Sequence, residues 1–271
     1  MFLAIDIGNT NIVLGVKHYS QPSEMPNLEI PFSACFRLAT SIDRTLDEYR
    51  ALIFSFFQQE GLEARKVAGI GICCVVPPLE KVFVDLCKDL FKKEALCVGP
   101  GVKTGMPILY DNPKEVGADR IANAVAAFYR FKKSCIVVDF GTATTFDFVT
   151  ADGQYAGGLI APGLGISAKA LFQNTSKLPR VDILKPDEVL GRNTVGSIQS
   201  GLYYSSLGAI DRIVEEILKE VKLPKTKVIV IATGGLAGLL FGESKVMDEM
   251  IPNLTLEGLE IAFALNRGRK G

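Results

Sequence analysis

Apolar residues fall along this chain in two rhythms that alternate. Phe2–Ile7 is a short apolar run that reads as a buried strand, and residues 11–16 read as the next, after a turn at Gly8-Asn9-Thr10. Residues 19–31, rich in Pro, Ser and Asn, read as a loop, and strand character resumes over 32–38. Over 43–60 the residues Leu46, Tyr49, Ile53, Phe56 and Phe57 recur at helical spacing. The apolar run 67–76 stops at Pro77-Pro78, as a central strand would. Residues 79–91 read as a helix, 95–98 as a strand, and 99–113, with its glycines and prolines, as a connecting segment. A second series follows. It predicts a helix over 117–131, a strand over 135–140, and strands over 144–150 and 154–160 flanking the hairpin signal Asp152-Gly153. Helices are then expected over 166–172, 194–221, 236–241 and 256–266, with a buried strand over 228–232. Interleaved strands and helices make the class α/β.

Composition narrows the function classes. Hydrophobic residues are 48% of the 271 and the mean hydropathy is +0.25. That supplies a sizeable core and leaves a surplus pointing to an oligomer interface. Lys+Arg and Asp+Glu number 30 each, and zero net charge argues against a nucleic-acid or membrane-surface binder, whose footprint would be basic. The first residues carry no basic region or small-residue cleavage site, and no apolar run approaches the roughly 18 residues of a membrane span, so a cytoplasmic location is expected. The cysteines are Cys35, Cys73, Cys74, Cys87, Cys97 and Cys135, without a CxxC pair, and His18 is the only histidine. A zinc site is not expected. Apolar neighbours such as Ile72, Val75 and Ile136 predict buried, inert thiols, and His18 reads as a surface loop residue.

The most informative feature is an internal echo. Ile5-Asp6-Ile7-Gly8-Asn9-Thr10 returns 133 residues later as Val138-Asp139-Phe140-Gly141-Thr142-Ala143. Both copies follow a buried strand and precede a second one, so duplicated domains are expected rather than a solenoid. Glycine suits a tight turn where backbone approaches a ligand closely. Thr and Asn offer hydroxyl, amide and backbone N–H groups to phosphate oxygens. Asp repels phosphate but can hold a divalent cation that bridges phosphates. Two such hairpins facing each other would clamp a triphosphate between two domains. Either copy alone could be an ordinary β-turn; the repetition at equivalent positions is what favours phosphate binding.

Other glycine-rich segments are weaker. There is no Gly-Lys pair, which excludes a P-loop. The run Gly163-Leu164-Gly165-Ile166-Ser167-Ala168 matches the loose dinucleotide fingerprint, but Pro162 precedes it and the acidic candidate Glu188 lies in a Pro-containing region. A turn beside the nucleotide is the preferred reading. Gly234-Gly235 follows a predicted strand and opens a helix, where adenine or ribose could lie against backbone. Close helix–strand packing would explain the same glycines. Tyr203 and Tyr204, in an apolar helix, read as core or dimer surface.

Together these segments resemble the actin-like phosphotransferases. Tyr110-Asp111-Asn112-Pro113-Lys114-Glu115-Val116-Gly117-Ala118-Asp119-Arg120 narrows the likeness, being similar to the signature of type III pantothenate kinases. Gly157-Gly158-Leu159-Ile160-Ala161-Pro162-Gly163 and Asn193-Thr194 match that family too, and the resemblance runs from about residue 2 to 265. It implies two duplicated actin-like (ribonuclease H-like) domains, 1–112 and 113–271, with a nucleotide cleft between them. It implies Asp119 as the general base acting on the primary hydroxyl of pantothenate. Tyr110, Gly117, Ala118, Arg120 and Thr194 would shape the pantothenate pocket. Asp6, Ile7, Gly8, Asn9, Thr10, Asn11, Ile12, Val13, Thr142, Gly234 and Gly235 would bind ATP. Asp6 would hold Mg²⁺, and Asp139 a monovalent cation, K⁺ or NH₄⁺. A homodimer is implied as well. Related alternatives are a non-catalytic accessory factor in transcription and a kinase of the same fold acting on another small hydroxyl or carboxylate acceptor.

Read without the resemblance, Asp119 is an acid in the first turn of a helix, where it could simply stabilise the helix dipole. Arg120 beside it could depress its pKa or anchor the substrate carboxylate. Thr194 could also be the N-cap of the long helix it opens.

Overall fold

Residues 2 to 7 form a strand because, Asp6 apart, their side chains are apolar on both faces of a sheet that is covered on both sides. The computed structural model describes residues 1–21 and 24–267, which divide into two units. The first comprises Met1–Arg130 and the chain from Leu254 onward, the second Phe131–Asn253. Among the described residues no helix is long and apolar enough to cross a membrane.

The first unit holds β1 (Phe2–Ile7), β2 (Asn11–Lys17), β3 (Ala34–Ala39), β4 (Gly69–Cys74) and β5 (Leu96–Cys97), in the order β3-β2-β1-β4-β5. β1 runs antiparallel to β2 and parallel to β4, with Asp6 opposite Val13 on one side and Cys73 on the other. Strand alternation splits the side chains between two faces. Leu3, Ile5, Ile7, Leu14, Ile70 and Ile72 pack with α1 (Leu46–Gln59) and α2 (Pro77–Phe91) in one core. Phe2, Gly15, Gly69 and Gly71 face the other way, onto α7 (Leu254–Asn266). A Cβ on Gly71 would lie 3.2 Å from the Leu259 carbonyl oxygen, so the absence of side chains on β4 is what lets α7 lie close. α3 (Ala118–Phe131) crosses α7 at Gly258, where a Cβ would fall under 3.0 Å from the Ala122 carbonyl oxygen. The chain therefore divides at Arg130 and Asn253, whereas the sequence placed the division at Asn112. The reason is that α7 packs on β1 and β4 and meets α3 at Gly258.

The second unit repeats the topology. β6 (Ser134–Phe140), β7 (Ala143–Val149), β8 (Tyr155–Pro162), β9 (Val228–Thr233) and β10 (Glu249–Met250) form a sheet of order β10-β9-β6-β7-β8. β6 is antiparallel to β7 and parallel to β9, as β1 is to β2 and β4. α4 (Leu164–Gln173), α5 (Thr194–Glu220) and α6 (Ala237–Leu240) complete it. Ile136, Val138, Phe140 and Phe146 pack against Tyr203, Ile210 and Val214 of α5. The expected duplication is thus present as two mixed five-stranded sheets with matching strand order.

The departures from the predicted elements are local. α1 begins at Leu46 rather than 43 because Thr45 caps it, in a reciprocal box with Glu48. α2 begins at Pro77, since proline is tolerated in a first helical turn. The two-residue edge strand β10 carried no periodic signal. One thiol contradicts its expectation: Cys35 is exposed, because it sits on the outward face of the edge strand β3. Cys73, Cys87 and Cys135 are buried, Cys74 and Cys97 half-buried, and none of the six forms a disulfide. His18 is exposed.

Candidate active site

The first hairpin turn spans Gly8, Asn9 and Thr10, with Asn9 and Thr10 exposed. The Gly8 N–H donates to the Asn11 carbonyl at 3.0 Å. A Cβ on Gly8 would stand 3.0 Å from that same oxygen, so the turn closes tightly only without a side chain there. Ile7 and Ile12 pair directly and are fully buried in the first core, as is Leu14; Val13, opposite Asp6, is half-buried. Ile7 and Ile12 thus hold the turn through packing.

Asp6, half-buried at the end of β1, neighbours Cys73 on β4. The Cys73 thiol is fully buried. Its pKa is pushed well up by burial, then by the negative charges of Asp6 and Asp119, and the thiol is hydrogen-bonded to Asp6. The thiol beside Asp6 therefore stays protonated. It is a hydrogen-bond donor, not a nucleophile.

Asp119 is delivered by the start of α3. Its Oδ1 accepts the Arg120 N–H at 2.8 Å, so the carboxylate curls back over the helix N-terminus. Burial raises its pKa from the ordinary aspartate value; the Arg120 N–H and the Arg120 charge act in the opposite direction and are outweighed. Arg120 thus pulls the pKa down, as expected from its place beside Asp119, but desolvation is larger and the net shift is upward. Arg120 itself is 5% exposed.

In the second unit the hairpin is one residue tighter. Ile7 pairs with Ile12 in the first, whereas Phe140 pairs with Thr144 here. The Gly141 N–H donates to the Ala143 carbonyl at 3.1 Å. Asp139 neighbours Thr233 on β9, the position that Cys73 holds in the first unit. Gly234 follows with φ +93, and a Cβ there would fall under 3.0 Å from the Asp139 Oδ1 and 2.7 Å from the Phe140 backbone. Close packing accordingly accounts for Gly234. Gly235 is exposed. Asp147, fully buried on β7, accepts a hydrogen bond from the Tyr155 hydroxyl at 2.6 Å.

A family model described as Type III pantothenate kinase matches residues 2–216. Type III pantothenate kinases of Pelobacter propionicus and Geobacter sulfurreducens are each 50% identical over 268 residues, covering 98% of this chain and 100% of theirs. The chain belongs to the type III pantothenate kinase family. Among solved structures, a Campylobacter jejuni protein described as a Baf family transcriptional activator aligns with TM-score 0.59 at 18% identity, covering 98% of this chain and 100% of that one. A Sinorhizobium meliloti protein described as a 2-dehydro-3-deoxygalactonokinase aligns with TM-score 0.58 at 13% identity, covering 100% and 98%. These likenesses bear on the fold.

The residues expected from the pantothenate kinase signature divide between the units. Asp6 to Val13, Tyr110 and Gly117 to Arg120 belong to the first; Asp139, Thr142, Thr194, Gly234 and Gly235 belong to the second. Gly117 and Ala118, which precede Asp119 in the chain, are half-buried, and Tyr110 is half-buried too. Thr194 is exposed at the first position of α5, but it is not the cap. Asn193 is, its side-chain oxygen accepting the Gly196 N–H at 2.8 Å. The fingerprint at Gly163 follows β8, which is antiparallel to β7, so no parallel dinucleotide-binding crossover forms there. Sequence reasoning missed Cys73 and Thr40. Nothing in either residue type signals a site; only strand pairing brings them to one.

Proposed function

We propose that this chain is a pantothenate kinase, transferring the γ-phosphoryl group of ATP to the primary hydroxyl of pantothenate to give 4′-phosphopantothenate, the first step of coenzyme A synthesis. The observation that carries the reading is the match to this family along nearly the whole chain, at 50% identity to curated members, with Asp119 fixed at the start of α3 by the Arg120 N–H at 2.8 Å. Asp119 is the general base, ionised when it accepts the hydroxyl proton. Phosphoryl transfer asks mainly for positioning and charge neutralisation, which one oriented carboxylate and a polar loop supply. The loop from Gly8 to Asn11 and Thr142 hold phosphates, and Gly234 and Gly235 lie against adenosine. Tyr110, Gly117, Ala118, Arg120 and Thr194 form the pantothenate pocket.

Magnesium keeps several waters and is held by one or two carboxylates plus substrate phosphates rather than by a protein cage. Asp6 beside an exposed polar turn fits that description, as does the lack of any three-ligand cluster among the described residues. When bound, Mg²⁺ neutralises phosphate charge. Asp139 fits a monovalent cation, K⁺ or NH₄⁺: its Oδ1 borders the space a Gly234 side chain would fill. The exposed side chains of Leu159, Ile160, Ile166, Phe172 and Leu190 in the second unit support a homodimer, and a cytoplasmic setting suits the substrates.

The test is direct. Purified protein with ATP, Mg²⁺ and K⁺ forms phosphopantothenate, read by mass spectrometry. Asp119→Asn slows turnover by about 10²–10⁴-fold, the usual worth of a general base, while ADP binding persists. Full activity in Asp119→Asn would remove the base assignment, and an inactive wild type would remove the acceptor.

A further inference from the structure

The turn between β1 and β2 is held from behind by one residue that no motif includes. Thr40 follows the last residue of β3. Its Oγ1 donates to the Gly8 carbonyl at 2.6 Å, and its backbone N–H donates to the Thr10 carbonyl at 3.0 Å. With the Asn11 carbonyl already taken by the Gly8 N–H, three carbonyl oxygens of the turn are engaged within the protein. A loop that receives phosphate must present N–H groups outward, because a carbonyl oxygen facing the ligand adds negative charge where negative charge must be accepted. Engaging the carbonyls inward fixes that polarity before any ligand arrives.

Thr40 is itself rigidly placed. The next residue, Ser41, exchanges two hydrogen bonds with Tyr49 of α1: the Tyr49 hydroxyl donates to the Ser41 carbonyl at 2.8 Å and accepts the Ser41 N–H at 3.1 Å. Tyr49 is fully buried, its ring 4.9 Å from that of Phe83. The brace therefore runs from the core of the first unit to the turn.

The duplicated unit places a different residue at the same position. Asn11 pairs with Ala39, so Thr40 is the first residue past the pairing; Ala143 pairs with Pro162, so Gly163 is its counterpart. A Cβ on Gly163 would fall under 3.0 Å from the Thr142 carbonyl oxygen and 2.7 Å from that of Gly141. There, too, the turn carbonyls point back at the end of the third strand, against bare backbone instead of a hydroxyl.

We propose that Thr40 is a positioning residue for the nucleotide phosphates: it holds the Gly8 and Thr10 carbonyls away from the ligand so that the turn receives an anion. This rests on the ATP-dependent reading above.

The test compares Thr40→Val and Thr40→Ser in the full chain. The valine variant keeps shape and loses the hydroxyl donor. It weakens ADP binding about tenfold, equivalent to about 1.4 kcal/mol, and raises KM for ATP in step. KM for pantothenate and adenosine binding, read by competition, stay within about twofold. The serine variant retains wild-type ADP affinity. Should the valine variant not fold, Thr40→Ala is read in its place. ADP affinity unchanged in a folded valine or alanine variant overturns the proposal, as does equal loss for ADP and adenosine, or a serine variant as weak as valine. Wild type that binds ADP yet leaves pantothenate unphosphorylated removes the acceptor and leaves the role of Thr40 standing.

Discussion

Gly117 leaves the space that the Asp119 carboxylate occupies: a Cβ at Gly117 would fall under 3.0 Å from Asp119 Oδ1. Two residues before Asp119, the proposed base, the chain gives up a side chain so that the carboxylate can fold back onto its own helix terminus. Gly117 immediately precedes α3 and its carbonyl accepts the Ile121 N–H at 3.1 Å, a bond that alanine also makes, so Gly117→Ala should push the carboxylate out of that position while α3 persists. A displacement near 1 Å costs about a hundredfold in rate. We expect kcat to fall by about that factor, with ADP affinity unchanged by calorimetry. Wild-type kcat in this variant would show that the Asp119 position is not critical.

Burial raises the Asp119 carboxyl pKa in the folded state, which fixes the sign of two pH effects. As the proposed base, Asp119 must be ionised and loses activity as pH falls through its folded pKa, so the acid limb of kcat/KM should lie above the ordinary aspartate value of about 3.9. For stability, the folded state binds this proton more tightly than the unfolded state. The group therefore favours folding when protonated, and that contribution is lost as pH rises from the unfolded to the folded pKa. Asp119→Asn should then melt higher than wild type at neutral pH, with the difference vanishing below the unfolded pKa. A lower melting temperature for Asp119→Asn at pH 7 would contradict the burial account.

Much of this architecture was legible because its signals are local. The strand runs at 2–7 and 228–232, the helix at 79–91 and the Asp152-Gly153 turn each announce themselves within a few residues, and the repeated Asp-x-Gly exposed the duplication. What stayed hidden depends on pairing between distant segments. Asp6 meets Cys73 only through the parallel register of β1 and β4, and Thr40 meets Gly8 only because β3 ends beside the turn. The division at Arg130 escaped for the same reason. Gly258 and Gly71 look unremarkable in sequence, yet they let α7 lie against α3 and the first sheet. The direction of the Asp119 pKa shift needed burial, which sequence proximity to Arg120 could not supply.

Gly234 is required twice over, by its φ of +93 and by the Asp139 carboxylate beside it. An alanine there adopts a backbone conformation costing roughly 1–2 kcal/mol, and its methyl group must also displace Asp139 or Phe140. Gly234→Ala should lower the melting temperature and, if Asp139 holds the monovalent cation, raise the K⁺ concentration giving half-maximal activity. A variant that melts lower with an unchanged K⁺ dependence would separate the glycine's structural role from the cation site.

The last helix is secured by a buried ion pair, and the pair predicts how its loss will act. Lys17 Nζ lies 2.6 Å from Glu260 Oε2, with side chains 1% and 0% exposed. Glu260 also accepts from the Tyr19 hydroxyl and from the Asn27 N–H at 2.9 Å, while Lys17 donates to the Asn27 carbonyl at 3.1 Å. One carboxylate thus ties α7, β2 and the loop after β2 together. Glu260→Gln leaves the buried Lys17 ammonium without the carboxylate it bonds to, a loss of about 3–5 kcal/mol. Lys17→Met together with Glu260→Leu removes both charges and should recover part of that loss. The recovery is incomplete, because the Tyr19 hydroxyl and the Asn27 N–H lose their acceptor, at about 1–3 kcal/mol each. Thermal melts should therefore rank wild type above the double variant and the double variant above Glu260→Gln. The loop around Asn27 should become the first site of limited proteolysis in both variants, and a Glu260→Gln protein as stable and protease-resistant as wild type would show that the pair does not anchor the helix.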